Sequence, residues 1–294
     1  MDRRGEPAVT LSVVVSTYES PDALAVVLRS LADQSDQSFT VVIADDGSGT
    51  ATKAVVEQAG ETVFGERLTH VWQPDRGFRP AAALNRGALA ADADFLVFLG
   101  GDCVPRRHFV RSLRAAARPG WFIAANRVLL PRALTERVIS ERAPIHRWST
   151  TRVVLATGGG GGAYATLTSR DRRRVGRTGL RDFVPYNNAY CCIAVHVRDF
   201  VAVNGYDTRF VGWGDEDVDL AVRLRRLGLR CGHAGPDAVL LHLWHESSQS
   251  DERPNWMLLK ETERSNRLEA VEGLRELNAD EVDMPVPSGD IGVA

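Results

Sequence analysis

The stretch Phe39-Thr-Val-Val-Ile-Ala-Asp-Asp-Gly-Ser48 gives the clearest indication of the fold. Its apolar first half predicts a short strand, and the polar residues from Asp45 onward mark where that strand ends. An earlier run, Leu11-Ser-Val-Val-Val15, has the β-branched content typical of a buried parallel strand. A strand, a helix and a second strand in this order predict a βαβ unit with a parallel sheet. The helix between the two runs is predicted from apolar residues spaced i, i+3, i+4 and i+7, namely Leu24, Val27, Leu28 and Leu31.

The alternation of strands and helices continues through the first third of the chain. His70 to Trp72 predicts a weak third strand, and Ala81 to Ala91 predicts a helix with Pro80 in its first turn. Phe95 to Leu99 predicts a further buried strand, which ends at Gly100-Gly101-Asp102. The chain is therefore expected to be an α/β protein with a mostly parallel sheet. Later elements are a helix ending at Gly228, a strand over Val239–Leu243, an amphipathic helix over Leu258–Leu277 and a polar tail from Glu281.

The composition excludes several classes of protein. With 36 basic and 38 acidic residues among 294, the formal charge is −2, which argues against binding nucleic acid through bulk positive charge. No apolar run approaches the ~18 residues needed to span a bilayer, and the first ten residues lack the apolar region of a secretory signal. The four cysteines form no CxxC pair, so neither a disulfide framework nor a zinc knuckle is expected. We expect a cytoplasmic enzyme without a transmembrane segment.

The middle of the chain has a different character. Residues 131–182 are rich in arginine and contain the run Gly158–Gly162. Five consecutive glycines have maximal backbone freedom, which is typical of a surface loop. The alternative is a lid that orders over a ligand site.

Polar residues follow three of the predicted strands. Thr17 and Tyr18 follow the first strand, Asp46 follows the second, and Asp102 follows the fourth. Ligands bind at the carboxyl ends of strands in open α/β sheets, although aspartates there also cap helices or form turns. The chain lacks both the GxGxxG fingerprint and the GxxxxGK[ST] phosphate loop, so any nucleotide must be held in another way.

Several motifs in order resemble those of a known family. The segments LSVVVSTYES, VVIADDGS, QPDRGFRPAAALNRGA and FLVFLGGDCVP resemble successive motifs of family 2 glycosyltransferases of the GT-A fold. The later segment NGYDTRFVGWGDEDVDL resembles one shared by β-galactosyltransferases, polypeptide N-acetylgalactosaminyltransferases and chondroitin polymerases. The resemblance covers about residues 10–105 and 185–246. It implies a GT-A fold in one domain, with a mixed, mostly parallel central sheet flanked by helices and a C-terminal helical extension.

The resemblance also implies which residues hold the donor. Thr17 and Tyr18 would line the nucleoside pocket, Asp46 would hydrogen-bond the uracil ring, and Asp75 and Arg79 would lie near the nucleotide-sugar. Asp102 matches the last acid of the DxD motif, which holds a divalent cation on the diphosphate. The first acid of that motif is replaced here by Gly100.

A divalent cation suits this chemistry because it neutralises the departing nucleoside diphosphate. One carboxylate plus phosphate oxygens suits Mg²⁺ or Mn²⁺. His242 and His245, after the last predicted strand, are both candidates to complete the ligand set, and an imidazole would favour Mn²⁺. The sequence does not choose between the two histidines.

The acidic block of the GWGxED motif carries the implied catalysis. The resemblance makes Asp217 the general base of an inverting transfer, with Glu216 and Trp213 holding the acceptor sugar. Asn188, or its neighbour Asn187, would contact the transferred sugar. A simpler explanation also exists, because acids in the first turn of a helix favour the positive end of its dipole by ~0.3–1 kcal/mol each.

The resemblance thus implies a metal-dependent inverting glycosyltransferase that moves a hexosyl or N-acetylhexosaminyl group from a UDP-sugar to a hydroxyl. Retention of configuration stays open, because one of the resembling families with a similar C-terminal segment retains it. The acceptor remains open among a saccharide, a lipid-linked intermediate, a peptide and a small molecule, and so does the oligomeric state. A catalytically impaired sugar-nucleotide-binding protein and a nucleotidyltransferase are the alternatives. The expected division is a GT-A domain over residues 8–246, with a nucleotide-sugar half at 8–105 and an acceptor half at 106–246, followed by a helix and flexible tail at 247–294.

Overall fold

A computed structural model of the protein describes residues 9–158, 191–246 and 254–277. Its largest sheet has seven strands, which are β1 (Leu11–Thr17), β2 (Thr40–Asp45), β3 (Leu68–Trp72), β4 (Phe95–Gly100), β6 (Trp121–Ala124), β8 (Cys192–His196) and β9 (Arg230–Gly232). Their order across the sheet is β3-β2-β1-β4-β8-β6-β9. The neighbours β3, β2, β1 and β4 are parallel to one another, and β8 runs antiparallel to both β4 and β6. The prediction of a mixed, mostly parallel sheet is therefore confirmed.

Helices cover both faces of this sheet. Along β1, Val13 and Val15 enter the apolar cluster on one face and Val14 enters the cluster on the other, as period-2 alternation requires. A strand buried on both faces needs the continuous apolar run that the sequence shows. The helices are α1 (Pro21–Ala32), α2 (Thr50–Ala59), α3 (Pro80–Leu89), α4 (Phe109–Ala116), α5 (Arg132–Ser140), α6 (Thr150–Ala156), α7 (Val197–Ala202), α8 (Glu216–Arg226) and α9 (Pro254–Arg264).

The strand order fixes where a ligand can bind. The strands β2 and β3 lie in succession on one side of β1, and β4, the next strand in the sequence, lies on the other side of β1. Neighbouring connections therefore diverge at the carboxyl ends of β1 and β4, which is where open α/β sheets form their binding crevice.

A second, three-stranded sheet lies beside this crevice. It consists of β5 (Cys103–Pro105), β10 (Leu240–His242) and β7 (Arg127–Leu129), in that order. The strand β10 is antiparallel to β5, with His242 directly opposite Cys103. This pairing joins a segment after β4 to a segment near residue 240, about 140 residues later in the sequence.

The C-terminal helix is shorter than predicted. It begins at Pro254 and ends at Arg264, so the prediction of a helix over residues 258–277 is wrong. Beyond the helix, the domain itself supplies acceptors for the backbone amides: Val271 donates to Asp207 Oδ2 at 3.1 Å, and Leu274 donates to the Asn204 carbonyl at 3.1 Å. At Gly273, a Cβ atom would lie only 1.8 Å from the Asn204 carbonyl oxygen, so the close approach requires glycine. These tertiary contacts hold residues 271–274 outside the helix, although the helical spacing of apolar residues continues in the sequence.

No helix among the described residues is long and apolar enough to cross a membrane. Of the predicted loop Gly158–Gly162, residues 159–162 lie outside the described residues. The predicted tail from Glu281 also lies outside them.

Candidate active site

A cavity of about 350 Å³ opens at the carboxyl ends of β1 and β4. Its lining brings together residues that are far apart in the sequence: Asp102 from the first half, Glu216 and Asp217 at the start of α8, and the two histidines after β10. Trp213 and Phe78 add exposed aromatic surface. A cavity of this size with a few convergent polar groups is typical of a ligand site.

One corner of the cavity is built around Asp102. Its Oδ2 lies 3.3 Å from His242 Nε2 and 3.2 Å from His245 Nε2. The backbone holds this corner together, because the Leu243 amide donates to the Asp102 carbonyl at 2.9 Å and the Trp244 amide donates to Thr135 Oγ1 at 2.8 Å. Both candidate histidines therefore face the same carboxylate.

The charge state of this corner follows from these contacts. Burial alone would raise the pKa of Asp102, but a hydrogen bond with His245 and the charge of His242 lower it to about 2. The pKa of His245 is raised, chiefly by its hydrogen bond to Asp102, whereas burial lowers the pKa of His242. Asp102 is thus an ionised carboxylate facing two imidazoles, and all three groups are potential metal ligands.

The thiol of Cys103 also belongs to this corner. Its Sγ donates to Asp102 Oδ1 at 3.1 Å, and ligand atoms of Asp102, Cys103 and His242 all lie within 4.8 Å of one another. A hydrogen bond with Cys191 and burial raise the pKa of the Cys103 thiol. All four cysteines are free thiols in the structure.

Two glycines bring the Asp102 turn close to β1. The Gly101 amide donates to the Ser16 carbonyl at 2.8 Å, and a Cβ at Gly101 would lie 2.7 Å from that oxygen. A Cβ at Gly100, where the DxD pattern has its first acid, would lie 2.9 Å from Asp102 Oδ1. The replacement of that acid by glycine leaves Asp102 room to turn toward the histidines.

The start of α8 forms another part of the cavity wall. Gly212 and Gly214 adopt φ values of 83° and 89°, and Asp215, at the N-cap, has φ 72°. Residues with positive φ turn the chain sharply, and glycine does so at little steric cost. This turn leaves Trp213 44% exposed and directs Glu216 and Asp217 to the cavity.

The two carboxylates at this wall have raised pKa values. Burial and the neighbouring charge of Asp217 raise the pKa of Glu216 to about 8. Burial raises the pKa of Asp217 to about 6, although a hydrogen bond from Tyr206 and the charge of Arg127 act in the opposite direction. Glu216 Oε2 is buried and has no hydrogen-bond partner among the described residues. Of the pair, Asp217 is therefore the more readily ionised group at neutral pH.

A second polar cluster lies at the ends of β1, β2 and β3. Asp46 is buried, and its carboxylate accepts hydrogen bonds from Gln73 Nε2 and from the Arg79 amide. Burial raises the pKa of Asp46. Tyr18 Oη donates to Asp75 Oδ2 at 3.1 Å. Of the six residues predicted to bind the nucleotide-sugar, only Asp102 lines the cavity described above. The other five, which include Thr17 and Arg79, lie at or after the carboxyl ends of β1, β2 and β3.

Sequence reasoning missed several residues of the site. Tyr206 and Arg127 both act on Asp217, and Gln73 holds Asp46. Tyr206 lies within the quoted NGYDTRF segment, so a signal was present there, whereas Arg127 stands in no motif. Asn187 and Asn188, predicted to contact the sugar, lie outside the described residues.

Comparisons with known families agree with this architecture. The family model "Glycosyl transferase family 2" matches residues 12–190, and the model "N-terminal domain of galactosyltransferase" matches residues 184–242. The first match extends from β1 to residue 190. The second match includes the acidic start of α8 and ends at His242.

Curated relatives include a validoxylamine A glucosyltransferase of Streptomyces hygroscopicus subsp. jinggangensis. It is 30% identical over 74% of this chain and 52% of its own length. A hyaluronan synthase of Pasteurella multocida is 26% identical over 75% of this chain and 23% of its own length. The chain therefore spans about half the length, or less, of these relatives.

Solved structures share the fold. S. aureus TarS 1-349 in complex with UDP-GlcNAc has a TM-score of 0.57 at 15% identity and covers 86% of this chain and 64% of its own. The mannosyltransferase PcManGT from Pyrobaculum calidifontis, in complex with GDP-Man and Mn²⁺, has a TM-score of 0.54 at 15% identity, covering 87% and 69%. Both likenesses concern the fold alone.

Proposed function

Because this chain belongs to glycosyl transferase family 2, we propose that it transfers a sugar from a UDP-sugar to an acceptor hydroxyl, with a divalent cation and with inversion at the anomeric carbon. The observation that carries the proposal is the sharing of one cavity by two groups of side chains. Asp102 and the histidines form a corner suited to a cation, and Asp217, which lines the same cavity, is a carboxylate suited to accept a proton. A metal-dependent inverting transfer needs both.

The donor atoms at the Asp102 corner fit a divalent cation. The Nε2 atoms of His242 and His245 lie 3.3 and 3.2 Å from Asp102 Oδ2, and burial lowers the pKa of His242, which favours the neutral imidazole that binds metals. A bound Mn²⁺ or Mg²⁺ would act as a Lewis acid on the diphosphate of the leaving UDP. Asp102 would hold that cation together with His242, His245 or both.

Asp217 would act as the general base. As the acceptor oxygen attacks the anomeric carbon, its proton passes to the Asp217 carboxylate. The bond between the anomeric carbon and the diphosphate oxygen breaks, and its electron pair leaves with UDP. The pKa of Asp217, about 6, leaves this carboxylate mostly ionised at neutral pH yet still basic, which suits a general base.

The neighbouring groups would bind the substrates. Glu216, with an unpartnered buried oxygen and a raised pKa, would hydrogen-bond an acceptor hydroxyl, and Trp213 would stack on a sugar face. At the carboxyl ends of β1, β2 and β3, Tyr18 and Asp75 would line the nucleoside pocket together with Asp46. Thr17 and Arg79 would complete that pocket, and Asn188 would contact the transferred sugar.

The experiment is a UDP-release assay over a panel of UDP-sugars, each with Mn²⁺, with Mg²⁺ or with EDTA. We expect release with one or a few donors that depends on the cation and increases when a suitable acceptor fraction is added. Asp102→Ala should abolish cation-dependent donor binding in calorimetry, while Asp22→Asn, an exposed acid in α1, should behave like the wild type. The anomeric proton coupling of the isolated product reports inversion.

Release that is unaffected by EDTA would refute the metal dependence. Binding of a UDP-sugar without release, over the whole panel with acceptor fractions, would instead favour a sugar-nucleotide-binding protein. Nucleotide transfer from a nucleoside triphosphate would favour a nucleotidyltransferase.

A further inference from the structure

Three exposed aromatic side chains lie in neighbouring segments at the cavity. Phe78, Trp213 and Trp256 are 37, 44 and 42% exposed. Phe78 and Trp213 line the cavity, whereas Trp256 belongs to α9 and lies outside the cavity lining. Tryptophan is highly buried on average in folded proteins, so exposed aromatic rings grouped beside a cavity indicate a binding surface.

Hydrogen bonds hold these three segments together. The Gly212 amide donates to the Phe78 carbonyl at 2.7 Å, which fixes the turn before α8 against the loop after β3. At the other end of the same turn, Asn255 Nδ2 donates to the Gly214 carbonyl at 2.8 Å. Trp256 directly follows Asn255 in the chain, so the exposed aromatic residues continue from the cavity lining to α9.

The helix that carries Trp256 is firmly packed against the domain. Asn255 and Leu259 are buried, and Thr262 Oγ1 donates to the buried carboxylate of Asp219 at 2.7 Å. The Trp256 ring is therefore exposed on a helix whose other face is fixed in place. A ring held in this way can bind a ligand at a low cost in conformational entropy.

The groups around Trp256 favour a saccharide over a lipid chain. Lys260 Nζ lies 5.6 Å from the centre of the Trp256 ring, and Lys260 forms an ion pair with Glu263. The neighbouring Met257 adds one exposed, adaptable apolar side chain. A sugar ring has an apolar face of C–H groups that can stack on an indole, and hydroxyls that can hydrogen-bond to the charged groups. A lipid chain would instead have to remove those charges from water, which is costly.

We propose that Trp256 forms a second sugar subsite, so that the acceptor is an oligosaccharide of at least two sugar units. The inference rests on the proposed function, in which Trp213 stacks on the sugar that receives the transferred group. The next sugar of the acceptor chain would then stack on Trp256. A monosaccharide would fill only the first subsite and would bind more weakly.

The test is calorimetric binding of sugars to the full-length protein in the presence of UDP and Mn²⁺. The probes are a monosaccharide, a disaccharide and a tetrasaccharide from each of three series, namely cellulose oligomers, chitin oligomers and hyaluronan fragments. In at least one series, we expect the disaccharide to bind roughly tenfold more tightly than the monosaccharide. Trp256→Ala should lose this gain without weakening monosaccharide binding, and Trp256→Phe should retain most of it. The control, Leu155→Ala, removes an apolar side chain that is 73% exposed on α6 and should keep the gain.

Two binding results would overturn the inference. The first is equal affinity for monosaccharide and disaccharide in every series, and the second is a gain that Trp256→Ala retains. Octyl glucoside and glucose are compared as well, because a Trp256-dependent preference for the octyl chain, without a gain in any sugar series, would assign this surface to an apolar group instead.

A second measurement covers the case in which Trp256→Ala does not fold. The indole N–H resonance of Trp256 in the wild type is identified by its absence in Trp256→Phe. A disaccharide should shift this resonance and the matching monosaccharide should not. No shift with any disaccharide would overturn the inference.

These results are distinguishable from failure of the proposed function. Trp256-dependent binding of a disaccharide, without transfer from any UDP-sugar, would support the subsite and refute the transferase. Transfer with the same KM for monosaccharide and disaccharide acceptors would support the transferase and overturn the subsite.

Discussion

Tyr206 Oη donates a hydrogen bond to Asp217 Oδ1 at 2.9 Å. The tyrosine ring is fully buried and packs edge-on against Phe98, with ring centroids 5.1 Å apart. Burial and the adjacent charge of Asp217 raise the pKa of the Tyr206 phenol, so it remains a donor over the working pH range. The bond favours the ionised form of Asp217, which is the form a general base requires.

Tyr206→Phe should therefore shift the acidic limb of the pH–rate profile upward. In the proposed mechanism transfer requires ionised Asp217, so the rate is expected to rise with pH through the apparent pKa of the Glu216–Asp217 pair, near 6 for Asp217 in the wild type. Losing a hydrogen bond to a charged group costs about 1.5–3 kcal/mol, which corresponds to about one to two pH units. The measurement is UDP release against pH for both proteins, with melting temperature as a control for folding. An unchanged limb would show that the phenol does not act on Asp217.

Asp217→Asn should lower kcat by about 10²–10⁴-fold, because the amide cannot accept the acceptor proton. Affinity for the UDP-sugar, measured by calorimetry, should change only a few-fold. The same carboxylate-to-amide change at the exposed Asp22 is the control and should leave kcat unaltered. Near-full turnover by Asp217→Asn would exclude Asp217 as the base.

Glu216→Gln should make stability less dependent on pH. The pKa of Glu216 is raised from about 4.5 to about 8, so the folded state holds a proton that the unfolded state releases. The free energy of unfolding of the wild type should therefore fall as pH rises from 4.5 to 8, by the linkage relation. Glutamine imitates the protonated acid, so the variant should lose this component and gain stability relative to the wild type as pH rises. Urea unfolding at pH 5 and pH 8.5 measures the difference; Glu57→Gln, an exposed change in α2, should show none.

Asp219→Ala should destabilise the fold by about 3–5 kcal/mol, because it leaves a buried guanidinium without its anion. Asp219 and Arg223 are both fully buried, with Nη2 and Oδ2 2.6 Å apart. Thr262 Oγ1, in α9, donates to the other Asp219 oxygen at 2.7 Å, so the same carboxylate joins α8 to the C-terminal helix. Urea denaturation measures the loss. A cost below 1 kcal/mol, comparable to that of an exposed ion pair, would contradict this interpretation.

Gly101→Ala should destabilise the protein by about 1–3 kcal/mol, because the new methyl group would lie 2.7 Å from the Ser16 carbonyl and force the Asp102 turn outward. It should also weaken Mn²⁺ binding. Gly60→Ala is the matched control: Gly60 has helical φ and ψ angles and no neighbour within 4 Å of a Cβ, so this change should be neutral or slightly stabilising. Equal effects of the two substitutions on thermal unfolding would show that the close approach is unimportant.

Much of the architecture was predictable from local pattern. The apolar runs around Val14 and Ile43 gave strands at the expected places, and the helix over Leu24 to Leu31 formed as its spacing predicted. The helix predicted over residues 258–277 ends at Arg264. The helical spacing of apolar residues continues beyond that point, but there the chain instead makes hydrogen bonds to Asn204 and Asp207. A side chain 70 residues away is invisible to a local pattern.

The candidate site divides in the same way. The sequence by itself determined the candidate residues, from Asp102 to the acidic start of α8, because short motifs record local backbone and charge requirements. Only the tertiary structure decided that both His242 and His245 face Asp102, that Cys103 joins them, and that Tyr206 and Arg127 act on Asp217. The physical reason is that pairing of β5 with β10, and burial of the Tyr206 ring against β4, arise from long-range packing. Such packing sets distances and pKa values that no single segment of sequence contains.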